Sequence, residues 1–183
     1  MFDASGKPVY LDAAGRTEDM TGIGALTLRP MTEADIPAVR ALHARSVAAL
    51  ARESHTPAQI AAHVALIEAP DYADDLRRSH LMLARGADGT LLATAGWLAV
   101  EDEPGTARIR KVFVDPAAAR RGLATRLVID AEARARAAGF ARFIVRANIN
   151  AVPLYETLGY VALREGMMDA GGIALPVVFM KKD

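Results

Sequence analysis

The sequence predicts a single α/β domain with a mixed, mostly antiparallel sheet flanked by helices, and three features carry that expectation. Strand-like segments at residues 80–85, 91–100 and 109–114 follow one another through the hairpin turns Asp88-Gly89 and Glu103-Pro104-Gly105. The third segment then changes period into a long helix across a basic turn containing Arg120, Arg121 and Gly122. Residues 141–147 read as one more strand beyond that helix, and a right-handed crossover makes it parallel to the central strand.

Composition sets the outer limits. A chain of 183 residues with 52% hydrophobic content can bury a sizeable core, and its length suits one domain. Formal net charge is zero, which offers no general footprint for nucleic acid or an acidic membrane surface. Without Cys there is no disulfide framework, thiolate nucleophile or Cys-based metal site, and no metal is expected. No apolar run approaches a membrane span and no basic-then-apolar leader opens the chain, so a cytoplasmic protein is expected.

Taken in order, residues 1–24 form an extension in which Val9-Tyr10-Leu11 alone could make a short strand. We expect an arm, a dimer contact or a disordered segment there, with the domain covering 25–183. Residues 25–30 alternate as a strand, and Thr32-Glu33-Ala34-Asp35 signals a helix whose face carries Ile36, Val39, Leu42, Ser46, Val47 and Leu50. A sharper start follows at Thr56-Pro57-Ala58-Gln59, with a capping Thr, Pro at the first helical position and Gln at the third. Ile60, Val64 and Ile67 continue that helix to Pro70. The cluster Asp71, Asp74, Asp75, Arg77 and Arg78 reads as a solvated face, and Trp97 as core. Residues 160–181 form a closing hairpin about Gly171-Gly172.

The basic turn has a chemical reading of its own. Arg120, Arg121 and Arg126 crowd the positive end of a helix, where acidic residues are normally preferred, unless an anion is bound there. Amides at Gly122, Leu123, Ala124 and Thr125 would point at that anion, and Gly122 lets the backbone approach it.

At these residues the sequence resembles the GCN5-related N-acetyltransferases (the GNAT superfamily), whose acetyl-CoA loop reads [Q/R]-x-x-G-x-[G/A]. The aligned segment is Ala119-Arg120-Arg121-Gly122-Leu123-Ala124, with Ala119 in place of the leading Gln or Arg. A second, more specific match is Asn148, Ala151, Leu154, Tyr155, Gly159 and Tyr160 on the family's Asn-x-x-Ala-x-x-[Leu/Phe]-Tyr-x-x-x-Gly-[Phe/Tyr]. The resemblance covers about residues 26–181 and implies the GNAT fold, with a central strand and parallel neighbour splaying after Val114 to form the acetyl-CoA site. It also implies that Val112, Phe113 and Val114 bind the pantetheine arm, with backbone groups of Val112 and Val114 acting as a false strand. One of those amides would polarise the thioester carbonyl. Tyr155 would protonate the leaving thiolate, and Asn148 would bridge toward the cofactor or order a water. Glu53, His55 and His63, with Arg52 and Ser54, would stand near the acceptor.

A common family position for the base, a Glu on the central strand, is Arg108 here, which leaves Glu101, Asp102, Glu103, His55 and His63 as candidates, or no dedicated base. The function expected is acetyl transfer from acetyl-CoA to a small-molecule amine by direct attack in a ternary complex, with a protein N-terminus or lysine as the second choice of acceptor. A non-catalytic CoA-binding sensor or oligomerisation module on the same fold is the alternative, and a homodimer is possible.

Overall fold

The computed structural model describes residues 26–183, so the expected extension at 1–24 lies outside the described residues. The elements run β1 (Thr27–Pro30), α1 (Ile36–Leu50), α2 (Pro57–Glu68), α3 (Tyr72–Arg78), β2 (Met82–Arg85), β3 (Leu91–Ala99) and β4 (Thr106–Val114). Then come α4 (Leu123–Ala137), β5 (Arg142–Asn148), α5 (Val152–Thr157), β6 (Val161–Ala170) and β7 (Ile173–Lys182). The strands form one sheet in the order β1-β2-β3-β4-β5-β7-β6, antiparallel at every step but β4–β5.

Local chemistry accounts for the element ends. Thr56 accepts the Gln59 amide while the Gln59 side chain reaches back to the Thr56 amide, so the α2 capping box forms as expected. Asp88 accepts from the Thr90 amide and hydroxyl in the β2–β3 turn, and Gly89 takes the left-handed backbone that this turn requires. α4 begins at Leu123, two residues earlier than the sequence pattern indicates, and ends before Gly139, whose φ of 94° only glycine adopts readily.

Two faces of the sheet are covered differently. Ala107 and Ile109 of β4 and Phe143, Val145 and Ala147 of β5 pack under Val128, Ala131 and Ala135 of α4, together with Trp97 as expected. On the opposite face α1 supplies Ile36, Val39 and Leu42, which meet Leu76 of α3 and Leu83 of β2. Each fully buried Val, Leu, Ile or Phe side chain among these contributes roughly 1.5–3 kcal/mol.

One departure from regularity matters for function. Register between β3 and β4 slips so that Thr94 faces Phe113 while Gly96 faces Arg110. Two residues of β4, Lys111 and Val112, therefore oppose Ala95 alone, which is a β-bulge. Lys111 sits at φ 56° within it. Before the bulge Ala107 and Ile109 point toward α4; beyond it Val112 packs on that side instead. The extra residue lets Arg110 and Lys111, adjacent in sequence, reach the same carboxylate on α3.

Candidate active site

β4 and β5 pair only from Thr106–Arg142 to Arg108–Ile144. They part after Arg108, not after Val114 as expected from sequence, because the bulge at Lys111 turns β4 away while β5 stays in register with β7 as far as Asn148. The gap opens into a cavity of about 500 Å³ lined by β4 from Arg108 to Phe113, β5 from Val145 to Asn148, Tyr155, and residues of α2 and α3. Parallel strands that part leave unpaired backbone groups facing the gap, and these can receive an extended ligand as an added strand.

Tyr155 is buried against Tyr160, with ring centroids 5.4 Å apart. Burial raises its phenol pKa, so it holds a proton at neutral pH. Asn148 ends β5 on the same pleat face as Arg146. His63, on α2, also lines the cavity; its pKa falls to about 4 through burial, then the nearby charges of His55, Lys111 and Arg146, so it stands neutral. The other expected wall residues lie elsewhere. His55 is buried with Nδ1 2.8 Å from Ser54 Oγ, Glu53 is exposed, and neither lines the cavity. Glu101, Asp102 and Glu103 are exposed in the β3–β4 turn, outside it as well.

The acidic cluster read as a solvated face requires correction. It folds into α3, and although Asp74 and Arg77 are exposed, Asp75 is half-buried beneath three cations. Lys111 Nζ lies 2.6 Å, Arg110 Nη2 2.5 Å and Arg78 Nη2 3.5 Å from its carboxylate. Burial would raise the Asp75 pKa, but the hydrogen bonds and charge of Lys111 and Arg110 hold it below the usual carboxylate value. Burial pulls the Lys111 ammonium down to about 8 against that partner, and the group also lies 3.7 Å above the Tyr72 ring. Sequence reasoning missed this group because nothing in a linear pattern announces a bulge that turns two adjacent side chains the same way.

A hydrogen-bonded chain ties the bulge to the helices. The Thr94 hydroxyl donates to the Lys111 carbonyl at 2.7 Å, which leaves its oxygen to accept His43 Nε2–H at 2.8 Å. His43 Nδ1 then accepts from the Tyr72 hydroxyl at 2.8 Å. His43 is fully buried and stacked on Phe113 at 4.0 Å, and desolvation, followed by the charges of Lys111 and His63, keeps it neutral. The chain thus runs in one direction with a single tautomer.

The expected anion loop lies apart from this cavity, at the start of α4. Gly122 caps the helix at φ 74° and Arg120 also takes a left-handed backbone at φ 61°. Among the described residues no side chain caps the helix, so none of them takes its first amides from a ligand or water. Leu123 buries its side chain in the core and could offer a ligand its amide alone, while Ala124 and Thr125 are half-buried in the first turn. These features fit a pyrophosphate: amides that no described side chain caps, a helix positive end and a glycine whose added Cβ would meet open space among the described residues.

A model of the Acetyltransferase (GNAT) family matches residues 44–160. The chain belongs to that family. GNAT enzymes use acetyl-CoA as acyl donor, and this chain is an acetyl-CoA-dependent N-acetyltransferase. Solved structures agree in fold. A GCN5-related N-acetyltransferase from Rhodopseudomonas palustris superposes with a TM-score of 0.78 at 23% identity, over 87% of this chain and 96% of the other. The PaiA N-acetyltransferase of Thermoplasma acidophilum, in complex with coenzyme A, gives 0.69 at 14% identity over 86% and 98%. A third, from Kribbella flavida, gives 0.63 at 23% over 86% and 97%. No curated protein sequence matches significantly. The seven-stranded sheet with its one parallel pair is the GNAT fold. No described helix is long and apolar enough to cross a membrane.

Proposed function

We propose that this enzyme acetylates a small-molecule amine by direct attack within a ternary complex, with Tyr155 and Asn148 at the reacting centre. The observation that carries this reading is the cavity where β4 and β5 part, lined at once by Val112, Phe113, Asn148 and Tyr155. The donor, when bound, supplies an activated thioester, so the protein's work is chiefly positioning. Backbone groups of Val112, Phe113 and Val114 would hold an extended arm, and the Gly122–Thr125 amides with Arg120 and Arg121 would hold the phosphates. The Tyr155 phenol, kept protonated by burial, gives its proton to the leaving sulfur. Asn148 orients a water or the arm.

No carboxylate is needed to free the amine. Burial and then the nearby charges, Lys111 and Arg146 among them, hold His63 neutral, and they would lower an acceptor ammonium in the same way, which raises the fraction of neutral nucleophile. Among the base candidates weighed from sequence, His63 alone lines the cavity. A homodimer is part of this proposal: among the described residues β6 is the edge strand of the sheet, with Val161, Leu163 and Met167 exposed, which suits pairing with a second copy.

Calorimetric titration with acetyl-CoA, beside Gly122→Glu, tests the reading. Micromolar binding by the parent and none by the variant supports it, because a carboxylate at Gly122 occupies the anion position. Equal binding by both would remove the phosphate loop from the proposal.

A further inference from the structure

The cavity carries more positive charge than the described residues neutralise. Arg78, Arg108, Arg110, Lys111 and Arg146 line it against Asp71, Asp74 and Asp75. Asp74 is exposed and already paired with Arg77 at 2.6 Å, and Asp71 is exposed at the start of α3. Asp75 serves Arg78, Arg110 and Lys111 together. Arg108 and Arg146 make no hydrogen bond or ion pair with any described residue.

Their placement follows from the strands. Arg108 is the last β4 residue paired to β5, opposite Ile144, and paired residues of neighbouring strands point to one face of the sheet. Arg146 is two residues beyond Ile144 and shares that face, on the first pleat where the strands have parted. Asn148 is one pleat further, toward Tyr155. Two arginines therefore share one face of the parting strands in the cavity wall, with Asn148 of the proposed reacting centre one pleat further along β5.

We propose that the acceptor is an amine that also carries an anionic group, a carboxylate or a phosphonate, and that Arg108 and Arg146 hold that group while the amine faces Tyr155. This rests on the acetyl-transfer reading given above and names its substrate class. Guanidinium forks suit such planar or tetrahedral oxyanions. Partial burial in the cavity wall, then the like charges of Arg108 and Arg110, depress the Arg146 pKa against the weaker attraction of Asp75, and a bound anion relieves the repulsion among the cations. A neutral amine offers no such relief, and a diamine adds to the repulsion. The anion is drawn to Arg108 and Arg146, not to α4, because neither Arg120 nor Gly122 borders the cavity.

The test compares matched amines with acetyl-CoA saturating, following thiol release: phenylalanine against phenylalaninamide, and 2-aminoethylphosphonate against ethylamine. The same titrations by calorimetry use the protein loaded with CoA. The expected result is a kcat/KM at least about tenfold higher for an anionic member, carried by KM, as loss of a charge-assisted hydrogen bond would give. Which pair shows it identifies carboxylate or phosphonate. In Arg146→Ala and Arg108→Ala that ratio should collapse toward one, and Arg146→Glu should invert it. Both sites are exposed to the cavity, and acetyl-CoA affinity measured alongside reports that the variants fold. Absence of a preference, including absence of turnover in both sets, overturns the inference. If acetyl-CoA still binds, this inference alone has failed; if it does not, the acetyl-transfer reading has failed first.

Discussion

Tyr155 shows how one residue can look ordinary in the core and still sit where chemistry occurs. It packs in the α4-side core and borders the cavity at the same time. We expect Tyr155→Phe to lower kcat about a hundredfold while leaving the KM for acetyl-CoA near the parent value, as removal of a general acid does. A steady-state comparison decides it, and an unchanged kcat would remove Tyr155 from the mechanism. His63 makes a separate claim through pH. Its pKa is depressed from 6.5 to about 4, so between those values the unfolded state binds a proton that the native state refuses. Stability is full above pH 6.5 and falls as pH drops toward 4, by on the order of 3 kcal/mol. Denaturant melts of the parent and His63→Gln across that range should converge as pH falls; parallel curves would contradict the burial argument. The sequence marked Tyr155 and Asn148 through a spaced motif, but it did not mark Lys111 or Asp75, which meet only across the bulge.

At the scale of elements, the β4 bulge and its support decide the site's shape. Thr94 is fully buried and holds both the Lys111 carbonyl and His43. Thr94→Val keeps the shape and deletes both bonds, leaving the carbonyl and the His43 Nε2–H unsatisfied. We expect a loss of about 1–3 kcal/mol, read by thermal unfolding, together with reduced turnover because the strands no longer part in the same way. Two residues further along β3, Gly96 is required by space. An added Cβ would lie 2.9 Å from the His80 carbonyl and 3.0 Å from Leu81 Cα, backbone atoms that cannot step aside. Gly96→Ala should therefore cost about 1–3 kcal/mol in the same melt. Capping boxes and turns were readable before any fold was known because they depend on neighbours in sequence. α3 was not, since its seven residues carry mostly charge and little apolar periodicity.

Across the whole molecule, formal charge sums to zero while the cavity gathers five cations against three carboxylates. Acetyl-CoA is polyanionic and its phosphates would meet Arg120 and Arg121 at the α4 loop, so its affinity should weaken steadily as ionic strength rises past about 0.1 M, where the Debye length nears 10 Å. Calorimetry at several salt concentrations measures the slope, and a flat response would mean that charge plays little part in binding. The sequence by itself determined the fold class, the order of the strands and of the longer helices, the turn at Gly122 and the Asn148–Tyr155 spacing. Each rests on periodicity, turn chemistry or fixed spacing, which act over a few residues of chain. Only the tertiary structure decided where β4 leaves β5, that Asp75 lies beneath Lys111 and Arg110, and that Arg108 and Arg146 share a face and pair with no described carboxylate. Those depend on register between strands distant in sequence, where one extra residue at Lys111 changes which side chains meet.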